Sequence, residues 1–380
     1  MNYSAPYILL IGFYGFMSWW HYAAKEQKHR TWSTVICIIV TLIFWGFRGF
    51  IFYDWMSYYP GFLELDITHP FSGYVGTMEP GFALLMTMCK WLVNDFQFFV
   101  FLCTLINLSL LSNFILKHFD NFPFGMFLCT CIVGFFLFTD LMRNALSVFI
   151  FINAADYIYK RKPTQYFVLC LLALSFHYSS ILYFPLYFFA HKNINKWIYS
   201  GIFFGGCAIF ALKIPIFSSL IELVISFIDA DAGNKAYIYL TEVVNKSPGI
   251  NFVFFEYVLT GSLTILYMKE LREQRKEANV YINCLLLFMV MTFYLHEFVT
   301  MSFRLSLLFG CGYWIVWNDL IKCFKFENNR KLFIFFIFAY CFLRIYGHTR
   351  NIIASYNNIL FDTETFQERK SLFNKNYKDR

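Results

Sequence analysis

The chain has 380 residues, of which 59% are hydrophobic and only 14% are charged, and its formal net charge is +7. Soluble globular proteins carry about 25% charged residues, so the composition excludes a soluble protein. It predicts an all-α, polytopic integral membrane protein that forms a single membrane domain over residues 1–380. The basic residues are scattered over many short loops, which argues against binding to nucleic acid.

Apolar runs recur along the whole chain. The pair 164–176 and 179–190 is short for straight spans and is predicted to form a hairpin with its tip at residues 176–180. The first run lacks a basic leading region and a small-residue cleavage site, so we read it as an uncleaved span and not as a signal peptide. Short basic loops mark the cytoplasmic side of the other runs. The pattern predicts about twelve spans, at residues 7–22, 33–52, 97–116, 122–139, 142–159, 164–176, 179–190, 198–212, 251–268, 281–297, 303–321 and 332–347.

The connecting segments set the predicted orientation. The loop 53–78 has no Lys or Arg, so it is predicted to face outward, as is the loop 229–251. The segment 79–93 is too short for a comfortable span, and we expect a re-entrant or tilted half-helix. A helix over 215–228 is expected along the outer surface. Both termini are predicted outside, although the mixed charge of the tail 348–380 is compatible with either side.

Charged side chains inside or at the ends of the apolar segments are the strongest functional signal. An ionisable group in a membrane costs several kcal/mol and is a functional-site hypothesis by default. The predicted topology brings seven such residues to the outer face, namely Arg48, Asp54, Glu79, Arg143, His177, Glu297 and Arg304. Their convergence predicts a polar pocket for an anionic, hydrophilic substrate.

Each of these residues also has a purely structural interpretation. Arg48 could extend to the lipid headgroups. Glu79 could cap the helix that starts at Pro80. Arg143 could pair with Asp140, Arg304 could pair with Glu297, and His177 could be a satisfied core residue. The spacing of the cysteines, histidines and carboxylates matches no zinc or disulfide motif, so we expect no metal and no cofactor.

Five short motifs follow one another along the chain: Arg48-Gly49 with Asp54 and Tyr58, Glu79-Pro80-Gly81-Phe82, Met142-Arg143-Asn144, Phe176-His177-Tyr178-Ser179-Ser180, and Arg304. In this order they resemble the EpsG family, which comprises Wzy-like polymerases of bacterial exopolysaccharide, capsule and O-antigen. The resemblance covers roughly residues 30–310. Asn144 stands where the family usually has Gln, and Leu308-Phe309 stand where a Tyr-Phe pair often follows the last arginine.

The resemblance implies a metal-independent, inverting glycosyltransferase in the bacterial inner membrane, with its active site facing the periplasm or cell exterior. Its substrate would be an oligosaccharide repeat unit linked to undecaprenyl diphosphate. Membrane lipids, a flippase and a chain-length regulator of the same pathway are the expected partners. The alternatives are a flippase for lipid-linked glycans and a membrane O-acyltransferase that modifies surface glycans.

The reaction assigns expected roles to the charged residues. Arginine binds phosphate oxygens through its planar fork, so the candidates for the diphosphate are Arg143, Arg304 and Arg48. The candidate bases are His177, Asp54 and Glu79, in that order. The candidates for sugar binding or support are Tyr58, Asn144, Ser179 and Glu297.

Overall fold

A computed structural model describes residues 3–73, 75–216, 249–361 and 364–377. These residues form helices and turns, and within them the single element of β structure is an isolated antiparallel bridge between Arg48 and Asn358. The predicted all-α fold is therefore confirmed for the described part of the chain.

The helices follow one another with short connections. In the first half of the chain they are α1 (Ala5–Ala23), α2 (Gln27–Gly46), α3 (Trp55–Glu64), α4 (Pro80–Leu92), α5 (Phe96–His118), α6 (Phe122–Cys129), α7 (Phe135–Thr139), α8 (Met142–Tyr159), α9 (Pro163–Phe176) and α10 (Leu186–Phe189). In the second half they are α11 (Lys196–Leu212), α12 (Phe252–Leu266), α13 (Met268–Gln274), α14 (Ala278–Tyr294), α15 (Val299–Leu307), α16 (Gly310–Cys323), α17 (Glu327–Thr349) and α18 (Phe366–Tyr377).

Two compact units make up the chain. The first contains residues 1–185 together with 328–380, and the second contains residues 186–327. The first unit is thus built from both ends of the sequence. It holds Arg48, Asp54, Glu79, Arg143 and His177.

Four helical segments in the described residues are long and apolar enough to cross a membrane, namely α2, α5, α17 and Phe122–Thr139, in which a π-helical turn joins α6 to α7. Two bent pairs raise the number to six if each pair is one span: α12 with α13, bent by 75°, and α15 with α16, bent by 60°. The chain is therefore a multi-pass membrane protein, and the predicted number of about twelve spans is not confirmed.

Two predicted boundaries need correction. The span predicted over 33–52 ends as a helix at Gly46, because the backbone beyond it leaves the helix to pair with residues 357–359. The span predicted over 179–190 is not one continuous helix, since a 3₁₀ turn at Tyr178–Tyr183 precedes the four-residue α10. The helix predicted over 215–228 and the loop 229–251 lie almost entirely outside the described residues.

The predicted outer loop 53–78 contains α3, and the predicted half-helix 79–93 is α4. Both helices bury one apolar face. Pro80 starts α4 at a position where its missing N–H is harmless, and Phe82, Met86 and Cys89 then fall on one side of the helix. They pack in one apolar cluster with Phe62 of α3, which fixes α3 and α4 against each other.

The C-terminal tail packs against the same end of the first unit as Arg48. The Gly49 N–H donates to the Asn357 carbonyl at 2.8 Å, and the Tyr7 hydroxyl of α1 donates to the Ala354 carbonyl at 2.7 Å. Buried Arg369 on α18 donates to the Ile353 carbonyl at 2.8 Å. The tail therefore lies beside the segment that carries Arg48 and Asp54.

Candidate active site

Arg143, at the start of α8, is the centre of a polar cluster in the first unit. Its Nη1 lies 2.7 Å from Oε2 of Glu79, and its Nε donates to the Tyr58 hydroxyl at 3.0 Å. The Glu79 side chain is 4% exposed, whereas that of Arg143 is 27% exposed. The guanidinium is therefore held from one side by a buried carboxylate and a phenol while part of it faces solvent.

Glu79 connects this arginine to the turn that carries His177. Its Oε1 accepts from the Tyr178 N–H at 3.2 Å, and it makes no capping bond to its own helix. The start of α4 lies close to the end of α9, and this requires Gly81, because a Cβ atom there would lie 2.8 Å from the Ser175 carbonyl oxygen. Capping alone is thus not the role of Glu79, and both of its oxygens are occupied by hydrogen bonds.

His177 is partly buried and ends α9. Its Nδ1 accepts from the Ser179 N–H at 3.2 Å and lies 2.8 Å from the Ser179 hydroxyl. Because a backbone N–H can only donate, Nδ1 carries a lone pair, and a neutral imidazole must then hold its proton on Nε2. The next residue, Ser180, contacts Ser147 of α8 through its hydroxyl, which fixes the turn to that helix.

Asp54 lies next to Tyr58 at the start of α3. Burial, the neighbouring Asp54 carboxylate and a hydrogen bond to that carboxylate raise the pKa of the Tyr58 phenol well above its ordinary value, against the opposing effect of Arg143. Tyr58 is therefore a neutral phenol that links the Asp54 carboxylate to the guanidinium of Arg143.

Residues from other segments hold α3 at both ends. Oδ1 of Asp140 accepts from the Tyr53 and Asp54 N–H groups at 2.9 and 2.7 Å. At the other end, Nζ of Lys90 donates to the Phe62, Leu63 and Leu65 carbonyls at 2.8, 2.8 and 2.9 Å. An anion at the N-terminus and a cation at the C-terminus also complement the helix dipole. Tyr58 is thereby positioned before any substrate arrives.

A scan against protein-family models matches the EpsG family over residues 31–361, which is most of the chain. The chain belongs to the EpsG family. This is a family of Wzy-like polysaccharide polymerases, so the resemblance inferred from the five motifs is confirmed. A search of curated proteins and a search of solved structures each gave no match.

Arg48 occupies a different environment in this EpsG-family chain from the one expected. Its side chain is 5% exposed, and its Nη2 donates to the Thr139 carbonyl at 3.3 Å, so it does not extend to the lipid headgroups. Within the described residues its Nε is buried without a hydrogen-bond partner. Its backbone carbonyl accepts from Gln97 Nε2 at 3.0 Å, so Arg48 connects the segment after α2 with α5 and α7.

Asn144 is 2% exposed beside Arg143. Neither its amide oxygen nor its amide nitrogen has a hydrogen-bond partner among the described residues. An unsatisfied buried amide destabilises the fold by about 1–3 kcal/mol per group, and such groups in native proteins need an explanation.

The structure places the remaining candidates as follows. Ser179 lies in the cluster beside His177. Arg304 and Glu297 belong to the second unit, where Arg304 is exposed on α15 and Glu297 is buried just before that helix. The cluster described above consists of first-unit residues. In the described part of the chain, no group of three or more His, Cys, Asp or Glu side chains is placed to hold a metal ion.

Sequence reasoning missed two positioning residues. Asp140 was considered only as an alternative partner of Arg143 but binds the start of α3, and Lys90 was not expected to have any role. Lys90 is the one cation of the apolar half-helix, and that isolation was the available signal. Its partners are backbone carbonyls about 25 residues away, which no sequence pattern reveals.

Proposed function

We propose that this EpsG-family chain polymerises oligosaccharide repeat units linked to undecaprenyl diphosphate into a bacterial surface polysaccharide. The observation that carries the proposal is the Arg143 guanidinium, fixed by Glu79 and Tyr58 yet partly exposed. Such a preorganised cation stabilises charge that develops on a departing phosphate oxygen.

The proposed reaction is a single displacement with inversion. A hydroxyl at the non-reducing end of the acceptor attacks the anomeric carbon of the donor glycan. The bond from that carbon to the phosphate oxygen breaks, and the electron pair leaves with undecaprenyl diphosphate. The acceptor proton passes to a base on the opposite face of the ring. The Arg143 guanidinium neutralises charge on the leaving diphosphate, and this proposed role needs no metal ion.

The hydrogen bonds favour Asp54 over His177 as the base. The lone pair of His177 is directed at Ser179, so a neutral imidazole would donate from Nε2 and would not accept there. Glu79 is also a poor base, since both of its oxygens are already bonded. We therefore propose that Asp54 takes the acceptor proton. His177 donates a hydrogen bond to the substrate, and Glu79 orients Arg143.

Arg48 is assigned a supporting role, since it is buried and bonded to the Thr139 carbonyl. Asn144 and Tyr58 are proposed either to bind the substrate or to hold Arg143 in position. The site is proposed to face the periplasm, because the segment 53–78 has no Lys or Arg. A flippase that delivers the repeat units and a chain-length regulator are the proposed functional partners.

The test is deletion of the gene and gel analysis of the surface glycan. A polymerase mutant should lose long chains and keep single repeat units, and wild-type protein should restore the chains while Arg143→Ala at equal abundance should not. Loss of single surface units as well would indicate a flippase. Unchanged chain length with missing acyl groups would indicate an O-acyltransferase, and either result would overturn the proposal.

A further inference from the structure

A hollow in the first unit opens beside the candidate active site. It has a volume of about 260 Å³ and lies between α3, the turn from α4 to α5, and the C-terminal tail. Its apolar wall includes Tyr59 and Phe96, whose rings meet edge to face at 5.3 Å. The volume is close to the lower limit of about 300 Å³ for ligand pockets. We name this hollow the tail cleft.

The polar side chains of the tail cleft are amides and carboxylates: Asn94, Asp95, Gln97, Asn357 and Glu364. No Lys or Arg is among the described residues that line it. Asp95 already accepts from two backbone N–H groups of α5, and Glu364 already pairs with Arg369 at 3.1 Å. The cleft would repel a diphosphate and offers acceptors and donors to an uncharged polyhydroxyl ligand.

Asn357 lines the cleft and carries an unused acceptor. Its Oδ1 is buried without a hydrogen-bond partner among the described residues. Its backbone is held by the bond from the Gly49 N–H at 2.8 Å, and a Cβ on Gly49 would come within 3.3 Å of the Asn357 Cβ. Rotation of this amide toward the cleft would present Oδ1 to a ligand hydroxyl and satisfy a buried group that is otherwise destabilising.

The cleft adjoins the reaction site. A smaller cavity lined by Asp54 and Asp140 shares four lining residues with it, namely Gly49, Phe50, Phe96 and Gln97. A ligand in the cleft would therefore lie near the carboxylate that is proposed to take the acceptor proton.

We propose that the tail cleft is a subsite for neutral sugar residues of the acceptor repeat unit. The aromatic wall would contact the apolar faces of about one or two sugar rings, and the amides would bind their hydroxyls. The inference rests on the proposed function, because it names where that reaction holds its acceptor. The diphosphate is excluded from this subsite by charge.

The test measures binding and polymerisation separately. The probe is the single repeat-unit oligosaccharide released by mild acid from a strain without the polymerase gene and labelled at its reducing end. Binding to the full-length protein in detergent micelles is measured by equilibrium dialysis. The variants are Asn94→Trp, which fills the cleft from an exposed loop, and Asn357→Leu, which removes the acceptor at similar volume. The matched control is Gln367→Trp, exposed on α18 and outside the cleft lining.

Asn94→Trp should weaken binding by more than about tenfold, and Asn357→Leu by about fivefold to tenfold. Gln367→Trp and Arg143→Ala should bind as wild type does, and Arg143→Ala should still fail to polymerise. Normal binding by both cleft variants would refute the subsite and leave the proposed function intact. Loss of binding in Arg143→Ala to the same extent as in Asn94→Trp would place the sugar at the arginine and also refute it. A gene deletion that keeps long chains would instead refute the proposed function.

Discussion

The pair formed by Arg143 and Glu79 allows a quantitative test of how the site works. Glu79→Gln keeps the shape of the side chain but removes the charge that lies 2.7 Å from the guanidinium. Removing one partner of a buried pair costs about 3–5 kcal/mol. Since Arg143 is 27% exposed, solvent offsets part of this loss, and about 2–3 kcal/mol is expected.

If the loss falls on the transition state, it corresponds to about a 30-fold to 150-fold slower transfer, because 1.36 kcal/mol is about tenfold in rate. Arg143→Lys keeps the charge but cannot bond Glu79 and Tyr58 together through a planar fork, so it should be similarly slow. Arg143→Ala should lose about 1,000-fold or more.

The assay is transfer of lipid-linked repeat units by purified protein, with rates divided by the amount of folded protein. The decisive comparison is a double-mutant cycle. If Glu79 acts only by orienting Arg143, then Glu79→Gln should have almost no effect in the Arg143→Ala background. Glu64→Gln, at an exposed carboxylate of α3, is the matched control and should have wild-type rates. An equal effect of Glu79→Gln in both backgrounds would refute the orienting role and make Glu79 a candidate for direct proton transfer.

Three further predictions concern α3, the base and the topology. Lys90→Met leaves three carbonyls at the end of α3 without their donor. It should lower the free energy of unfolding by about 1–3 kcal/mol and the melting temperature by several degrees. An unchanged melting temperature would show that Lys90 does not stabilise α3. Asp54→Asn should slow transfer by about 10²–10⁴-fold. His177→Gln can still donate a hydrogen bond and should keep partial activity. The opposite order of activities would make His177 the base. All eleven native cysteines are buried. Asp66→Cys should therefore react with an impermeant thiol reagent in intact cells, and Lys162→Cys should not. Labelling at position 162 would overturn the predicted topology.

In the first unit, the sequence predicted that certain polar residues would lie near one another, but it did not predict how they pair. The class of fold followed from hydropathy, and Arg143, Glu79, Tyr58 and Asp54 were identified as charged or polar groups beside apolar segments. Their pairing depends on the packing of α3, α4 and α8. Glu79 and Arg143 are 64 positions apart, and the helices α4 to α7 lie between them, so spacing alone could not indicate that contact.

The ends of α2 and of the His177 turn were predicted less well for a similar reason. The residues after Gly46 continue the apolar pattern, but their backbone groups bond with the tail, more than 300 residues later in the sequence. Hydropathy reports the environment of a segment and not its hydrogen-bond partners. The predicted number of spans stays unconfirmed, because the described apolar helices of 10–17 residues, such as α9, α11 and α14, carry the hydropathy of a span without its usual length.

The bridge between Arg48 and Asn358 has a consequence for biosynthesis. The backbone partners of Gly49 and Phe52 lie in residues 353–357, which are synthesised about 300 residues later. A growing chain therefore reaches the end of the second unit before it can close the first. Such a long separation between partners slows folding, and the backbone N–H groups of Gly49 and Phe52 lack these partners until residues 353–357 have been synthesised. A prematurely terminated chain would contain every residue of the Arg143 cluster but lack the tail, so it could insert into the membrane without forming the tail cleft.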